Sequence, residues 1–179
     1  MFLSSSLLKK NLRKTLKMRE KGLVVSDSTV LIALSSLGVL EILKNLYGRI
    51  IIPEAVYKEL VRGEGRPGSE IGSIDWIDVR TLAPQFKKYL EFDLDEGEAE
   101  TIALSEEISA DLVLIDEHWA RKIAEYKGLR YTGTLGILLK AKKKGLIKEL
   151  KSLLNELLKR GFWIGTELYN AVLKEAGEL

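Results

Sequence analysis

Short apolar runs alternate with longer segments whose apolar residues recur at helical spacing along most of the chain. Strand-like runs lie at 23–25, 49–52, 76–80, 112–115 and 129–131. Helical patterns lie at 29–34, 37–47, 53–61, 118–127, 135–144, 147–160 and 167–176, and another runs from an acidic patch to about 108. Strands that alternate with helices predict a parallel sheet covered by helices on both faces. The Gly-rich stretch 63–73 predicts a loop, and Thr134 is placed to cap the helix that follows it.

The acidic patch is the sequence DLDEGEAETIAL, residues 93–104, which holds five carboxylates in eight positions. They are Asp93, Asp95, Glu96, Glu98 and Glu100. A helix N-terminus explains part of the patch, because Asp95 and Glu98 have the spacing of a capping box and the helix dipole favours negative charge there. A bound cation is the other explanation. An EF-hand is excluded, since Glu98 and Leu104 stand where that loop requires glycine and glutamate.

Two aspartates follow the most apolar strand-like runs. Asp27 comes after LVVS and Asp116 after LVLI. Ligands of parallel sheets bind beyond the carboxyl ends of the strands. Either residue alone would be an ordinary cap for the next helix, but both together, beside the acidic patch, favour a shared site.

The roles of three glutamates stay open on periodicity alone. Glu59 lies at the boundary between the apolar and solvated faces of its helix, where a surface role and a functional role fit equally well. Glu98 and Glu100 both flank the stripe of Ala99, Ile102 and Ala103, so helical angle does not separate them.

The composition bounds the class of protein. The 179 residues are 46% hydrophobic and 30% charged, which suits one domain with a substantial core. The chain has no cysteine, and this excludes disulfides and thiolate metal sites. No apolar run approaches the roughly 20 residues that a membrane-spanning helix needs. We therefore expect a cytoplasmic protein with no membrane association.

A basic N-terminal extension, residues 1–22, precedes the predicted domain at 23–179. It carries a net charge of +6, whereas the remainder sums to −4. The extension could contact nucleic acid or an anionic surface, or form a short amphipathic helix through Leu8, Leu12 and Leu16. A third alternative is that translation starts at Met18.

Five blocks together resemble a PIN domain, in particular the prokaryotic branch with GEAEAIALA-like and GTLG-like blocks. They are VVSDSTVLIAL (24–34), IPEAVYKEL (52–60), GEAETIAL (97–104), LIDE (114–117) and TGTLGILLKAK (132–142). The resemblance runs from about residue 23 to 175. It implies a three-layer α/β/α fold with a central, mostly parallel sheet of four or five strands.

The resemblance also implies an activity and a site. Many PIN domains are ribonucleases that depend on Mg²⁺ or Mn²⁺. The four acids of the family match Asp27, Glu59, Glu98 and Asp116, of which Asp27, Glu98 and Asp116 would hold metal. Ser28 and Thr29 are secondary candidates, because family members use a hydroxyl near the first aspartate. The related toxins suggest a homodimer restrained by a small antitoxin protein.

The chemistry of the residues agrees with a hard cation, since carboxylate oxygens suit Mg²⁺ and Mn²⁺ whereas zinc prefers nitrogen or sulfur. Crowded acids should raise the pKa of at least one carboxyl group. Arg121 is a candidate for a phosphate contact in an RNA substrate, with a surface ion pair as the alternative. We expect His118 to be solvated, and Trp119 and Trp163 to be packing residues.

Two other classes of protein compete with an enzyme. A catalytically silent PIN-like module for binding or assembly is the first, and the presence of all four acids argues against it. A phospho-acceptor signalling domain is the second. It would require a lysine after a later strand, and Lys127 and Lys140 are poorly placed for that role.

Overall fold

The computed structural model describes residues 22–63, 65, 67–85 and 94–179. Five strands form one sheet: β1 (Val24–Ser26), β2 (Ile50–Pro53), β3 (Ile77–Arg80), β4 (Leu112–Leu114) and β5 (Tyr131–Thr132). Their order is β3-β2-β1-β4-β5, and every neighbouring pair is parallel. The prediction of a parallel sheet is confirmed.

Helices connect the strands and complete the chain. They are α1 (Ser28–Ser36), α2 (Glu41–Tyr47), α3 (Glu54–Arg62), α4 (Glu96–Glu107), α5 (His118–Tyr126), α6 (Thr134–Lys143), α7 (Leu150–Lys159) and α8 (Thr166–Glu175). Two local expectations need correction. A short 3-10 helix, Ser69–Ser73, forms within the predicted loop, and α6 begins at Thr134 itself, with Gly133 as its N-cap.

The alternation of side chains along the strands creates three layers. Val24, Ile50 and Leu114 face a core that also contains residues of α1, α2, α6, α7 and α8. Val25 and Ile51 face the opposite side, where they pack with residues of α4. Both faces of the central strands β1, β2 and β4 are therefore largely buried, which explains why these strands are apolar at nearly every position. The α/β/α prediction is confirmed.

The order of the strands brings two of the predicted acids to one place. From β1 the chain proceeds through β2 and β3 on one side of the sheet, and then through β4 and β5 on the other. Ser26 of β1 pairs with Leu114 of β4. The carboxyl ends of β1 and β4 therefore meet at the point where the direction of winding changes, the usual position of a ligand site in such sheets.

Some predictions fall outside what the structure describes. The basic extension lies outside it except for Gly22, and so does Asp93; the division of the chain at residue 22 stays a prediction. Within the described ranges, no single helix is long and apolar enough to cross a membrane. Helices α1 and α2 pass that test together by length and composition only, and they are bent by 119°.

Candidate active site

Asp27 is buried at the end of β1, with 1% of its surface exposed. Its backbone N–H donates to the carbonyl of Leu114 (3.0 Å), and its carboxylate Oδ2 accepts from the N–H of Thr29 (3.2 Å). The pKa of Asp27 is raised to about 6, chiefly by burial and to a smaller extent by the charge of Asp95, against the opposing effect of hydrogen bonds from Ser28 and Thr29. Asp27 is therefore both the cap of α1 and a carboxyl group that titrates near neutrality.

Asp116 lies at the end of β4 and is held from two sides. Its Oδ1 accepts from the N–H of Thr134 (2.9 Å) and from Nη2 of Arg121 (3.1 Å), and its Oδ2 accepts from the hydroxyl of Thr134 (2.5 Å). Arg121 also donates through Nε to the carbonyl of Ile115 (2.8 Å). An oxygen with two donors has used both lone pairs, so Oδ2 is the atom of Asp116 that retains room for a further ligand.

Gly133 makes this arrangement possible. A Cβ atom at Gly133 would lie 1.9 Å from Nη2 of Arg121, 2.3 Å from Oδ1 of Asp116 and 3.1 Å from the carbonyl oxygen of Ile115. Real Cβ atoms do not approach other heavy atoms so closely. Glycine at this position lets the start of α6 come within hydrogen-bonding distance of Asp116.

Glu98 lies in the first turn of α4, with 8% of its surface exposed. The N-cap of this helix is Asp95, whose Oδ1 accepts from the N–H of Glu98 (2.9 Å), so the predicted cap is present. Burial is the largest cause that raises the pKa of Glu98 to about 7, and the charges of Asp95, Asp27 and Glu117 add to it. The expectation of a raised pKa is met, with burial as the largest single cause and the neighbouring acids as further causes.

Glu100 is separated from Glu98 by a contact that helical angle could not show. Its Oε2 accepts from the N–H of Ala55 (3.0 Å), in the first turn of α3. The carboxylate thus satisfies a backbone donor at a helix N-terminus, where negative charge is favourable. Glu100 has a structural role, and Glu98 remains the carboxylate of α4 that faces Asp27.

Replacing Glu100 with alanine should lower the stability of the protein without removing a group from the site. The partly buried N–H of Ala55 would lose its acceptor, which costs about 1 kcal/mol. Chemical denaturation of the wild-type protein, Glu100→Ala and Glu100→Gln measures the effect. Glutamine retains an acceptor oxygen and should restore most of the loss. Equal stability of wild type and Glu100→Ala would contradict this role.

Glu59 lies at the edge of the group of acids around Glu98. It is exposed on α3, and it lies close to Gly97, where an added Cβ atom would be 3.2 Å from Oε2 of Glu59 and 3.5 Å from Oδ1 of Asp95. The structure therefore places Glu59 beside the acidic N-terminus of α4. Its function as the fourth acid stays a prediction.

No ligand geometry for a metal is formed among the residues described, since no group of three or more His, Asp or Glu side chains there could hold an ion. The structure does place some of the carboxylates close enough to interact. The charges of Asp95 and Asp27 raise the pKa of Glu98, and the charge of Asp95 raises the pKa of Asp27.

Sequence reasoning missed or misjudged several residues. Thr134 was expected only as a cap, yet both its N–H and its hydroxyl bind Asp116. Glu117 caps α5, because its Oε2 accepts from the N–H of Ala120 (2.7 Å), and its charge also raises the pKa of Glu98. Trp119 and Trp163 are not packing residues, because 53% and 86% of their surfaces are exposed. The position of Thr134 in the GTLG-like block was the one signal available for it.

The site gives the metal-free protein a pH dependence of stability. Between the ordinary pKa and the raised pKa of Asp27 and Glu98, the folded state binds more protons than the unfolded state, so the free energy of unfolding falls as pH rises. We expect a loss of roughly 1–2 kcal/mol from Asp27 alone between pH 5 and 8.

Denaturation in EDTA across this pH range measures that loss. Asp27→Asn should reduce the slope, because asparagine does not titrate. A stability of the wild-type protein that is constant or rises from pH 5 to 8 would show that these groups are not shifted as described.

A family model described as a PIN domain matches residues 23–178. The search of curated proteins finds no match to the chain.

Proposed function

The chain belongs to the PIN-domain family, whose members are generally nucleases, and from this membership we propose that it is a metal-dependent endoribonuclease that hydrolyses RNA phosphodiester bonds. One observation in the structure supports the proposal most. Asp27 and Glu98 are buried at the carboxyl edge of the sheet. Burial and the charges of neighbouring acids raise the pKa of both. Perturbed carboxyl groups in such a place are typical of functional sites.

The donor atoms fit a magnesium or manganese ion by their chemistry. Asp27, Glu98 and Oδ2 of Asp116 offer carboxylate oxygens, and hard cations prefer oxygen ligands. We propose these three residues as the ones that hold the ion. A bound Mg²⁺ or Mn²⁺ would polarise the phosphate and lower the pKa of a water molecule that attacks it.

The surrounding residues would position the acids and the substrate. Thr134 and Arg121 fix the orientation of Asp116, and Thr29 fixes Asp27. Since the side chain of Arg121 is 34% exposed, its guanidinium can also contact a phosphate. Glu59 is proposed to orient water or to act as a further ligand, and Ser28 to support Asp27 from its buried position.

Cleavage of mixed single-stranded RNA substrates tests the proposal. We expect cutting with Mn²⁺ or Mg²⁺ and no cutting in EDTA, with recovery when the ion is returned. Single-stranded and duplex DNA of the same sequences serve as controls for the substrate class. Failure of the purified protein to cut any RNA in the presence of either ion would contradict the proposal.

A catalytically silent PIN-like module is the second candidate. The observation that favours it is the lack of a ligand geometry among the described residues. The same experiment separates the two, because a silent module binds a partner without cutting RNA in any ion.

Partners and location belong to the proposal as well. From the resemblance to toxins of this family we propose a cytoplasmic homodimer that a small antitoxin protein restrains. Sedimentation of the purified protein tests the dimer, and inhibition of RNA cleavage by the product of a neighbouring gene tests the antitoxin.

A further inference from the structure

A groove of about 660 Å³ begins at the candidate active site. Asp116, His118 and Arg121 line it, and so do three aromatic residues, Tyr131, Phe162 and Trp163. The volume lies within the range of about 300–1,000 Å³ that is usual for ligand sites. The groove therefore joins catalytic candidates to an aromatic surface that the proposed metal site does not use.

Trp163 is presented to solvent by a well-defined turn between α7 and α8. The turn has Gly161 in the left-handed region (φ 87°), and the N–H of Phe162 donates to the carbonyl of Leu157 (3.0 Å). Ile164 anchors the next position in the core. Because 86% of Trp163 is exposed, folding does not account for this side chain, whereas a ligand that stacks on its ring would.

A second groove, of about 360 Å³, shares Phe162 with the larger groove. Thr29, whose backbone N–H donates to Asp27, also lines it. The two grooves therefore adjoin at Phe162, so an extended polymer in one can continue into the other.

Among the described residues that line the larger groove, Arg121 supplies the positive charge. It lies beside Asp116, with Nη2 3.1 Å from Oδ1 of Asp116, and its side chain is 34% exposed. An exposed guanidinium in this position can contact a phosphate of a bound nucleic acid.

We propose that the larger groove is a base-stacking subsite for single-stranded RNA, in which an unpaired base stacks on Trp163 while a neighbouring phosphate contacts Arg121. The inference rests on the proposed ribonuclease function and adds a residue that binds the substrate. Aromatic faces and positive charges together are typical of proteins that bind single-stranded nucleic acid, because every base has a flat face for stacking. Bases within a duplex have both faces occupied.

Binding of a fluorescein-labelled 12-nucleotide RNA, measured by anisotropy in EDTA so that no cleavage occurs, tests the subsite. We expect Trp163→Ala to weaken binding about 5- to 100-fold, and Trp163→Phe to retain most of the affinity. Tyr126→Ala is the matched control, since Tyr126 is 87% exposed and lies outside both grooves. The same RNA should quench tryptophan emission in the wild type and in Trp119→Phe, but not in Trp163→Phe.

The outcomes separate this inference from the proposed function. RNA binding or cleavage that Trp163→Ala leaves unchanged overturns the subsite alone. Loss of dimerisation in Trp163→Ala with unchanged RNA affinity also overturns it, because the groove would then bind protein. The absence of both RNA binding and cleavage in the wild type overturns the subsite and the proposed function together.

Discussion

Asp27→Asn and Glu98→Gln are each expected to lower the rate of RNA cleavage by at least about 100-fold. Substitutions that only support metal ligands cost 10- to 100-fold in affinity or activity, and these two residues are proposed as ligands themselves. Both substitutions conserve size and remove the negative charge that a cation requires. Rates under single-turnover conditions in Mn²⁺ measure the loss.

Glu100→Gln is the control for this prediction, because it makes the same chemical change two positions from Glu98 on the same helix. Its carboxylate binds the N–H of Ala55 and not the site, so activity should stay within a few-fold of wild type. A loss in Glu100→Gln as large as that in Glu98→Gln would contradict the assignment. Unaltered cleavage by Asp27→Asn would contradict it equally.

Gly133→Ala is expected to abolish activity although it adds one methyl group. The new Cβ would overlap Nη2 of Arg121 and Oδ1 of Asp116, and it would press on the backbone carbonyl of Ile115. Side chains could turn away, but then Asp116 would lose the bonds that orient it. Cleavage assays and thermal unfolding together measure the effect, and we expect a loss of stability of about 1–3 kcal/mol from the strained packing.

Gly165→Ala provides a matched substitution for that test. Gly165 is also the N-cap of a helix, and its backbone is also extended. A Cβ atom added at Gly165 would lie 3.5 Å from the ring of Trp163, which is an ordinary contact. The two variants therefore share any change in capping and differ in the clash. Full activity of Gly133→Ala would show that the close approach of α6 to Asp116 does not matter.

Most elements of this fold could be predicted from the sequence, because the apolar runs are short and end at clear boundaries. The strand 112–115 and the helix that Gly128 follows are examples, and the structure has both within a residue or two. The order of the strands could not be predicted from periodicity. In strands buried on both faces, apolar residues occupy every position and carry no information about neighbours.

The site was predictable in outline and not in its contacts. Asp27 and Asp116 were recognisable as residues that follow strands, since chemistry at the carboxyl edge is a property of parallel sheets. The resemblance to the family selected Glu98 over Glu100, but the contact that gives Glu100 a different role is with Ala55, which is 45 positions away in the chain. The role of Thr134 depended on the adjacency of β4 and β5. Such tertiary contacts leave no local pattern in the sequence.

Binding of Mn²⁺ to the purified protein, measured by titration calorimetry at pH 7.5, tests most directly whether Asp27 and Glu98 hold a catalytic cation. We predict saturable binding to the wild type and to Glu100→Gln, and a loss of at least about 10-fold in affinity for Asp27→Asn and Glu98→Gln. Equal Mn²⁺ affinity in all four proteins, or no binding to the wild type, would contradict the account.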